Sequence, residues 1–125
     1  MRITENKDEK GKKMKTYKDL VFGPHPMATE VANTPDGFSA AFYIDMIDAK
    51  QAVLCFENGY GISVITDCPF ITGWAKYECA VLKGTADKYE LIYPDFAEDV
   101  VRCDTEEEID ELMAKIQRME PDNGK

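Results

Sequence analysis

The sequence predicts an α+β domain, an antiparallel β-sheet of about four to six strands with one C-terminal helix packed on one face. Residues 52–66 contain two apolar, β-branched-rich runs on either side of Asn58-Gly59, a dipeptide that strongly favours a hairpin turn. Residues 104–119 place apolar side chains at helical spacing behind an acidic first turn. With 125 residues, the chain is long enough for a single domain with its own core.

The hairpin over residues 52–66 is predicted to lie at the centre of the sheet, because both of its faces are largely apolar. A two-residue loop at Asn58-Gly59 would pair Cys55 with Ile62. One face would then carry Val53, Cys55, Ile62 and Val64, capped by Tyr60, and the other Ala52, Leu54, Phe56 and Ile65. A three-residue loop with a glycine bulge is the alternative, and it would shift this register.

Further strands are predicted on both sides of the hairpin. They are residues 19–23, 38–44, 76–83, 88–93 and 100–101. Residues 38–44 could also form a short helix, but their aromatic and β-branched content favours a strand. Residues 76–83 alternate in polarity, which places Tyr77, Cys79 and Val81 on one face.

The C-terminal helix has a clear start and end in the sequence. Thr105 and Glu108 match the capping box, in which each side chain binds the backbone N–H of the other residue. Pro121 ends the pattern. The apolar stripe that should face the sheet consists of Ile109, Leu112, Met113, Ile116 and Met119.

Charge divides the chain into a basic arm and an acidic domain. Residues 1–18 hold seven Lys/Arg and three Asp/Glu with little apolar content, so we expect a disordered arm of charge +4. Residues 19–120 are expected to form the single domain, and residues 121–125 a frayed tail. The net charge of −9 argues against direct nucleic-acid binding, which requires a basic surface.

The sequence predicts a cytoplasmic protein, because it contains neither an apolar run long enough to span a membrane nor a signal peptide. Cys55, Cys68, Cys79 and Cys103 include no C-x-x-C pair, so buried reduced thiols are favoured over a zinc site with His25. His25 lies between two prolines and is interpreted as a turn residue rather than a titrating switch. No catalytic motif, metal site or cofactor site is predicted, and we expect no enzymatic activity.

The candidate functional residues are those suited to binding a protein partner. Residues 95–111 hold nine acidic side chains against the single Arg102, and such a surface can attract a basic partner. Phe70, Ile71 and Trp74 either cover the core, which is the favoured interpretation, or form a contact patch. The predicted partner-binding residues are Asp95, Glu98, Asp99, Glu106, Glu107, Glu108, Glu111, Phe70 and Trp74.

Several of these segments together resemble a group of small, mostly uncharacterised proteins of tailed phages and prophages. The hairpin FENGYGISV resembles their F-x-N-G-Y-G-x-S-V pattern, and YECAVL resembles the strand that follows it. Asp99-Val100 and the C-terminal helix extend the likeness, which covers residues 49–119. The resemblance implies a phage or mobile-element gene acting in the bacterial cytoplasm, and it implies no catalytic residues.

The sequence therefore predicts a binding protein that inhibits a host protein through an acidic surface. The expected target is a nucleic-acid-handling enzyme or a defence effector, as with anti-CRISPR proteins. The first alternative is a self-assembling module, for instance a homodimer joined through an edge strand or the segment around Phe70 and Trp74. The second is a small-ligand pocket lined by Tyr60, Tyr77, Tyr89 and Tyr93.

Overall fold

The computed structural model describes residues 14–121, and residues 1–13 and 122–125 lie outside it. The described chain is an antiparallel six-stranded sheet with a C-terminal helix packed against it, which confirms the predicted α+β class. The strands are β1 (Gly23–Pro24), β2 (Lys50–Cys55), β3 (Tyr60–Thr66), β4 (Tyr77–Thr85), β5 (Lys88–Ile92) and β6 (Val101–Cys103). The helices are α1 (Pro26–Asn33), α2 (Ala40–Met46), α3 (Pro69–Thr72) and α4 (Glu106–Gln117). None of these helices has the length and apolar character needed to cross a membrane.

Strand β4 is the axis of the sheet. It pairs with β3 along one edge, and along its other edge with β6 near its start and β5 near its end. Tyr77 opposes Cys103, and Val81 opposes Ile92. The chain therefore leaves β6 beside the start of β4 and enters α4 at that end of the sheet.

The hairpin register differs from the predicted one. Gly61 opposes Cys55 and Ile62 opposes Leu54, and the Phe56 N–H donates to the Tyr60 carbonyl across a three-residue loop. Gly59 has a φ of 90°, whereas Asn58 is not among the residues of positive φ. The favoured two-residue loop was therefore wrong and the alternative three-residue loop is formed, because only one loop residue takes the left-handed conformation and the extra residue shifts the pairing by one.

This shift changes which side chains share a face. Because β-strand side chains alternate, the observed register aligns Ala52 and Leu54 with Ile62 and Val64 on the face that α4 covers. The predicted face assignment for β2 was therefore wrong. Strand β2 is also bordered by β1 over only two residue pairs, so β3 and β4 are the central strands.

The main core lies between the sheet and α4. The predicted face of β4 is confirmed, since Tyr77, Cys79 and Val81 are all buried. The predicted helix stripe is confirmed as well, and its side chains fill the space above the sheet. Its buried members are Ile109, Leu112, Met113 and Ile116, with Met119 partly buried beside them.

Asn58 ties the hairpin loop to the end of α4. Its amide nitrogen donates to the carbonyl oxygens of Ile116 at 2.9 Å and Met119 at 3.3 Å, and its Oδ1 accepts from the Tyr60 N–H at 3.1 Å. Ile116 lies in the last turn of α4 and Met119 two residues beyond its end, so this side chain binds the backbone on both sides of the helix terminus. The loop therefore holds α4 against the sheet.

Residues 38–44 do not form a strand. The Ser39 hydroxyl accepts from the Phe42 N–H at 3.1 Å and caps α2, which packs with α1 and α3 into a second apolar cluster. The predicted strand over residues 19–23 is likewise reduced to a 3₁₀ turn at Tyr17–Asp19 and the two residues of β1. For residues 38–44, packing within the second cluster outweighs the strand preference of their side chains.

The ordered domain begins before residue 19, where the sequence placed its start. Met14 is buried, the Lys15 N–H donates to Gln117 Oε1 at 2.8 Å, and the Tyr17 N–H donates to Asp110 Oδ1 at 2.7 Å. Residues 14–18 therefore pack along α4. The rest of the predicted arm, residues 1–13, and all but the first residue of the predicted tail lie outside the described residues.

Candidate partner-binding surface

The connection between β3 and β4, residues 67–76, is here called the Trp74 segment. Pro69 occupies the first turn of α3, where its missing N–H costs nothing, and Gly73 ends the helix with a φ of 67°. Buried Cys68 anchors the segment in the second cluster. The chain then turns sharply, and Trp74 is the first side chain after the turn.

Phe70 and Trp74 are exposed and do not cover the core, so that favoured interpretation was wrong for these two residues. The relative exposure is 64% for Phe70 and 105% for Trp74. Ile71 alone packs inward, onto the second cluster. The Phe70 ring lies edge-on to the ring of Phe42 in α2, with the ring centres 6.2 Å apart, and this aromatic pair joins Phe70 to the domain.

Arg102 braces the Trp74 segment from β6. Its Nε donates to the Thr72 carbonyl at 3.0 Å, and its Nη2 forms an ion pair with Glu78 Oε1 at 3.0 Å. A cation at the carbonyl end of a short helix satisfies free acceptors there. Burial raises the pKa of Glu78, and Arg102 opposes that rise. Trp74 is therefore presented from a turn with a fixed backbone.

A second contact joins the Trp74 segment to the start of α4. The Lys76 N–H donates to Asp104 Oδ1 at 3.1 Å, and Asp104 directly precedes the helix cap Thr105. The Lys76 ammonium lies 5.3 Å from the centre of the Tyr77 ring. The exposed indole and the acidic first turn of α4 therefore belong to the same end of the sheet.

The acidic residues of α4 are not equivalent. Glu108 Oε1 accepts from the backbone N–H groups of Asp104 at 2.8 Å and Thr105 at 3.1 Å, which confirms the capping box. These hydrogen bonds hold the pKa of Glu108 below its usual range. Glu108 therefore stabilises the helix start, whatever part it takes in binding a partner.

Glu106, Glu107 and Glu111 are exposed, and within residues 14–121 none of their side chains makes a hydrogen bond or ion pair. Glu107 and Glu111 are four residues apart and so share one helix face. Negative charge at a helix start also favours the helix dipole. These three carboxylates are the part of the predicted acidic surface that remains available on α4.

The other predicted acids lie before β6. Asp95 begins a 3₁₀ turn, Asp95–Ala97, and Glu98 directly follows it; both acids are exposed, while Ala97 is buried in the core. Asp99 Oδ1 accepts from the Val100 N–H at 2.7 Å, and its charge raises the pKa of Glu78. Asp99 therefore lies near the Arg102 brace, while no hydrogen bond or ion pair joins the side chain of Asp95 or Glu98 to the Trp74 segment in the described part of the chain.

The tyrosines proposed for a small-ligand pocket do not come together. Tyr77 is buried on the α4 side of the sheet, whereas Tyr89 opposes Gly84 and faces the other side. Tyr93 lies beyond the end of β5 with 55% exposure. A cavity of about 180 Å³ is found elsewhere, between residues 14–16 and α4. The tyrosine-lined pocket is therefore not formed.

His25 and the cysteines serve local roles. His25 Nδ1 accepts from the Met27 N–H at 3.0 Å and caps α1, and burial lowers its pKa. All four cysteines are free thiols, three of them buried and Cys55 partly exposed. Among residues 14–121, no group of three or more His, Cys, Asp or Glu side chains is arranged to hold a metal ion.

Comparisons with protein-family models, with curated proteins and with solved structures found no significant match. The function is therefore inferred from the chain's own sequence and geometry.

Proposed function

We propose that this protein binds another protein, with Trp74 and Phe70 as the apolar anchor and the free carboxylates of α4 as its charged margin. The carrying observation is the complete exposure of the Trp74 side chain on a braced turn. An exposed indole leaves a large apolar area in water, and Trp is enriched among the residues that dominate binding energy at interfaces.

The brace by Arg102 supports this function because it reduces the entropy lost on binding. A side chain on a flexible loop must be ordered by its partner, and that ordering weakens affinity. Here the backbone on both sides of Trp74 is already held, by Arg102 at Thr72 and by Asp104 at Lys76. An anchor prepared in this way keeps more of its burial energy as affinity.

The charge of the surface favours a basic partner. Glu106, Glu107 and Glu111 follow Asp104, whose side chain binds the Trp74 segment. The whole chain has a net charge of −9. Opposite charges at the margin of an interface accelerate association and select among partners. A surface that normally contacts nucleic acid has the required positive charge.

Together with the resemblance to phage and prophage proteins, this charge leads us to propose an inhibitor of a host nucleic-acid-handling or defence protein. The role would be like that of anti-CRISPR proteins. Its site of action would then be the bacterial cytoplasm.

The test compares binding by the wild type, Trp74→Ala, and a triple reversal of Glu106, Glu107 and Glu111 to Lys. Glu108 is left intact because its reversal would remove the helix cap. The matched control reverses three exposed acids elsewhere, Glu30, Asp36 and Glu90, and so changes the net charge equally.

Retention of a partner by the wild type and the control, with loss in both test variants, would support the proposal. Equal retention by all four proteins would refute it. Binding that depends on the carboxylates should also weaken as the salt concentration rises.

Self-association is the second candidate function, and the exposed side chains of β5 favour it. Leu91 is 48% exposed and Tyr89 39%, on a strand that pairs only with β4 in the described chain. Such an edge can pair with a second copy. A Leu91→Lys substitution would then convert a dimer to a monomer in size-exclusion chromatography with light scattering, and a monomeric wild type would rule this candidate out.

A further inference from the structure

Two cysteines face each other inside the core at the start of the sheet. Cys79 on β4 and Cys103 on β6 have their Sγ atoms 4.0 Å apart, and the Cys79 S–H donates to Cys103. Their side chains are 0% and 2% exposed, respectively. Because Tyr77 opposes Cys103 in the register, the two cysteines are diagonal neighbours across adjacent strands.

We propose that Cys79 and Cys103 form a reversible redox site that closes to an intramolecular disulfide when it reacts with an oxidised low-molecular-weight disulfide. Within residues 14–121, Cys55 and Cys68 offer no comparable thiol pair, since the sulfur of Cys68 contacts Met46 and the Asp45 carbonyl. The sulfur atoms need to approach by about 2 Å to reach bonding distance.

The geometry indicates a labile bond rather than a structural one. A disulfide usually requires Cα atoms roughly 4.4–6.8 Å apart, whereas diagonal neighbours in an antiparallel pair lie roughly 7–8 Å apart. Closure therefore draws β6 toward β4 and leaves strain in the bond. Strained disulfides are more easily reduced, and such bonds are the ones that serve as reversible switches.

The two thiols have different parts in the reaction. The hydrogen bond from Cys79 stabilises the Cys103 thiolate and lowers the pKa of Cys103, while the same bond and burial raise the pKa of Cys79. Cys103 also lies on the three-residue strand β6, which pairs only with β4 among the described strands, so its sulfur is the one that opening of β6 exposes, and Cys103 is the attacking thiolate. Its sulfur bonds to one sulfur of oxidised glutathione, the glutathione S–S bond breaks, and one glutathione thiolate leaves.

The second step closes the protein disulfide. The Cys79 thiol gives its proton to the glutathione thiolate released in the first step, and the Cys79 sulfur attacks the Cys103 sulfur. The bond between Cys103 and glutathione breaks, and the second glutathione leaves as a thiolate that takes a proton from water. The protein dithiol loses two electrons and oxidised glutathione gains them. Because both sulfurs are buried, the reaction requires transient opening of β6, a three-residue strand that pairs only with β4 in the described chain.

Trypsin separates the relevant peptides cleanly. Cleavage after lysine and arginine places Cys79 in residues 77–83 and Cys103 in residues 103–115, while Cys55 and Cys68 remain together in residues 51–76. The full chain is incubated with oxidised glutathione in native buffer, alkylated after denaturation, digested and analysed by mass spectrometry. A parallel sample is then treated with reduced glutathione.

The expected result is the loss of two of the four free thiols and a linked pair of peptides 77–83 and 103–115. Reduced glutathione should restore all four thiols. A Cys55→Ser variant should still form the link, and Cys79→Ala should not. Four free thiols after oxidation, a lasting glutathione adduct, or a link to peptide 51–76 would overturn the proposal.

Discussion

Replacing Asn58 tests whether the hairpin loop holds the end of α4. The side chain makes three hydrogen bonds: it donates to the carbonyls of Ile116 and Met119 at the end of α4 and accepts from the Tyr60 N–H. Each hydrogen bond contributes about 0.5–1.5 kcal/mol net to stability. Asn58→Ala removes all three, so we expect the free energy of unfolding to fall by about 2–3 kcal/mol.

Asn58→Asp is the more selective substitution. It keeps the acceptor for the Tyr60 N–H but turns a carboxylate oxygen toward the carbonyls of Ile116 and Met119. Negative charge at a helix C-terminus opposes the helix dipole and costs about 0.3–1 kcal/mol beyond the lost hydrogen bonds. We therefore expect Asp to be at least as destabilising as Ala, by about 3 kcal/mol in all.

Urea denaturation followed by circular dichroism measures both changes. The control is Asn33→Asp, which places the same charge at the exposed C-terminal end of α1, so it should cost no more than the dipole contribution of about 0.3–1 kcal/mol. If Asn58→Ala remained within about 0.5 kcal/mol of the wild type and Asn58→Asp cost no more than Asn33→Asp, the loop would not be holding the helix and the reasoning would be refuted.

Three further predictions concern backbone space, helix capping and pH. A Cβ at Gly61 would lie 2.6 Å from the Leu54 carbonyl oxygen, so Gly61→Ala should cost about 2–3 kcal/mol in urea denaturation, whereas Gly23→Ala, with open space around it, should be nearly neutral. Burial lowers the pKa of His25 below its usual 6.5, so the unfolded chain takes up the proton first and stability falls as the pH drops through 6.5. His25→Asn keeps a side-chain acceptor for the cap and should reduce this pH dependence of the melting temperature. An unchanged pH dependence would contradict the role assigned to His25. The pKa of Glu108 lies below its usual 4.5, so its stabilisation is present above 4.5 and lost as the pH falls through the lower folded value. Glu108→Gln should therefore lower the melting temperature at neutral pH but not in strong acid, and a pH-independent difference would contradict the capping role.

The sequence predicted those elements whose local pattern and tertiary environment agree. Alternation in β4 and the helical stripe of α4 both survive in the fold, because each element buries the face that its pattern marks as apolar. The hairpin was predicted at the correct position but with the wrong pairing of its two strands. Two- and three-residue loops can both use Asn58-Gly59, and they are separated only by the observed backbone: Asn58 does not take a positive φ, and the Phe56 N–H pairs with the Tyr60 carbonyl.

Residues 38–44 show where local preference fails. Their side chains favour a strand, yet Ser39 caps a helix whose Met46 is buried against α1 and α3. The pattern of a single short segment cannot reveal such neighbours, which come from distant parts of the chain.

The candidate surface was only partly predictable. Composition identified the acids and the aromatic residues, but the exposure of Trp74 depends on how the Trp74 segment is held. Arg102 was noted only as the lone base among acids, and its role was missed. Alternation along β6 offered a signal, since it turns Arg102 away from the core while Cys103 faces inward. Whether Glu108 was free or capping could be predicted from the capping box itself.

The most direct measurement for the central claim is a quantitative pull-down from bacterial lysate at low and high salt. It uses the wild type, Trp74→Ala, the reversal of Glu106, Glu107 and Glu111, and the matched charge control. The account predicts one nucleic-acid-handling protein that the wild type and the control retain at low salt, and that high salt or either test variant releases. The same proteins recovered with all four baits, or only the protein itself recovered, would contradict it.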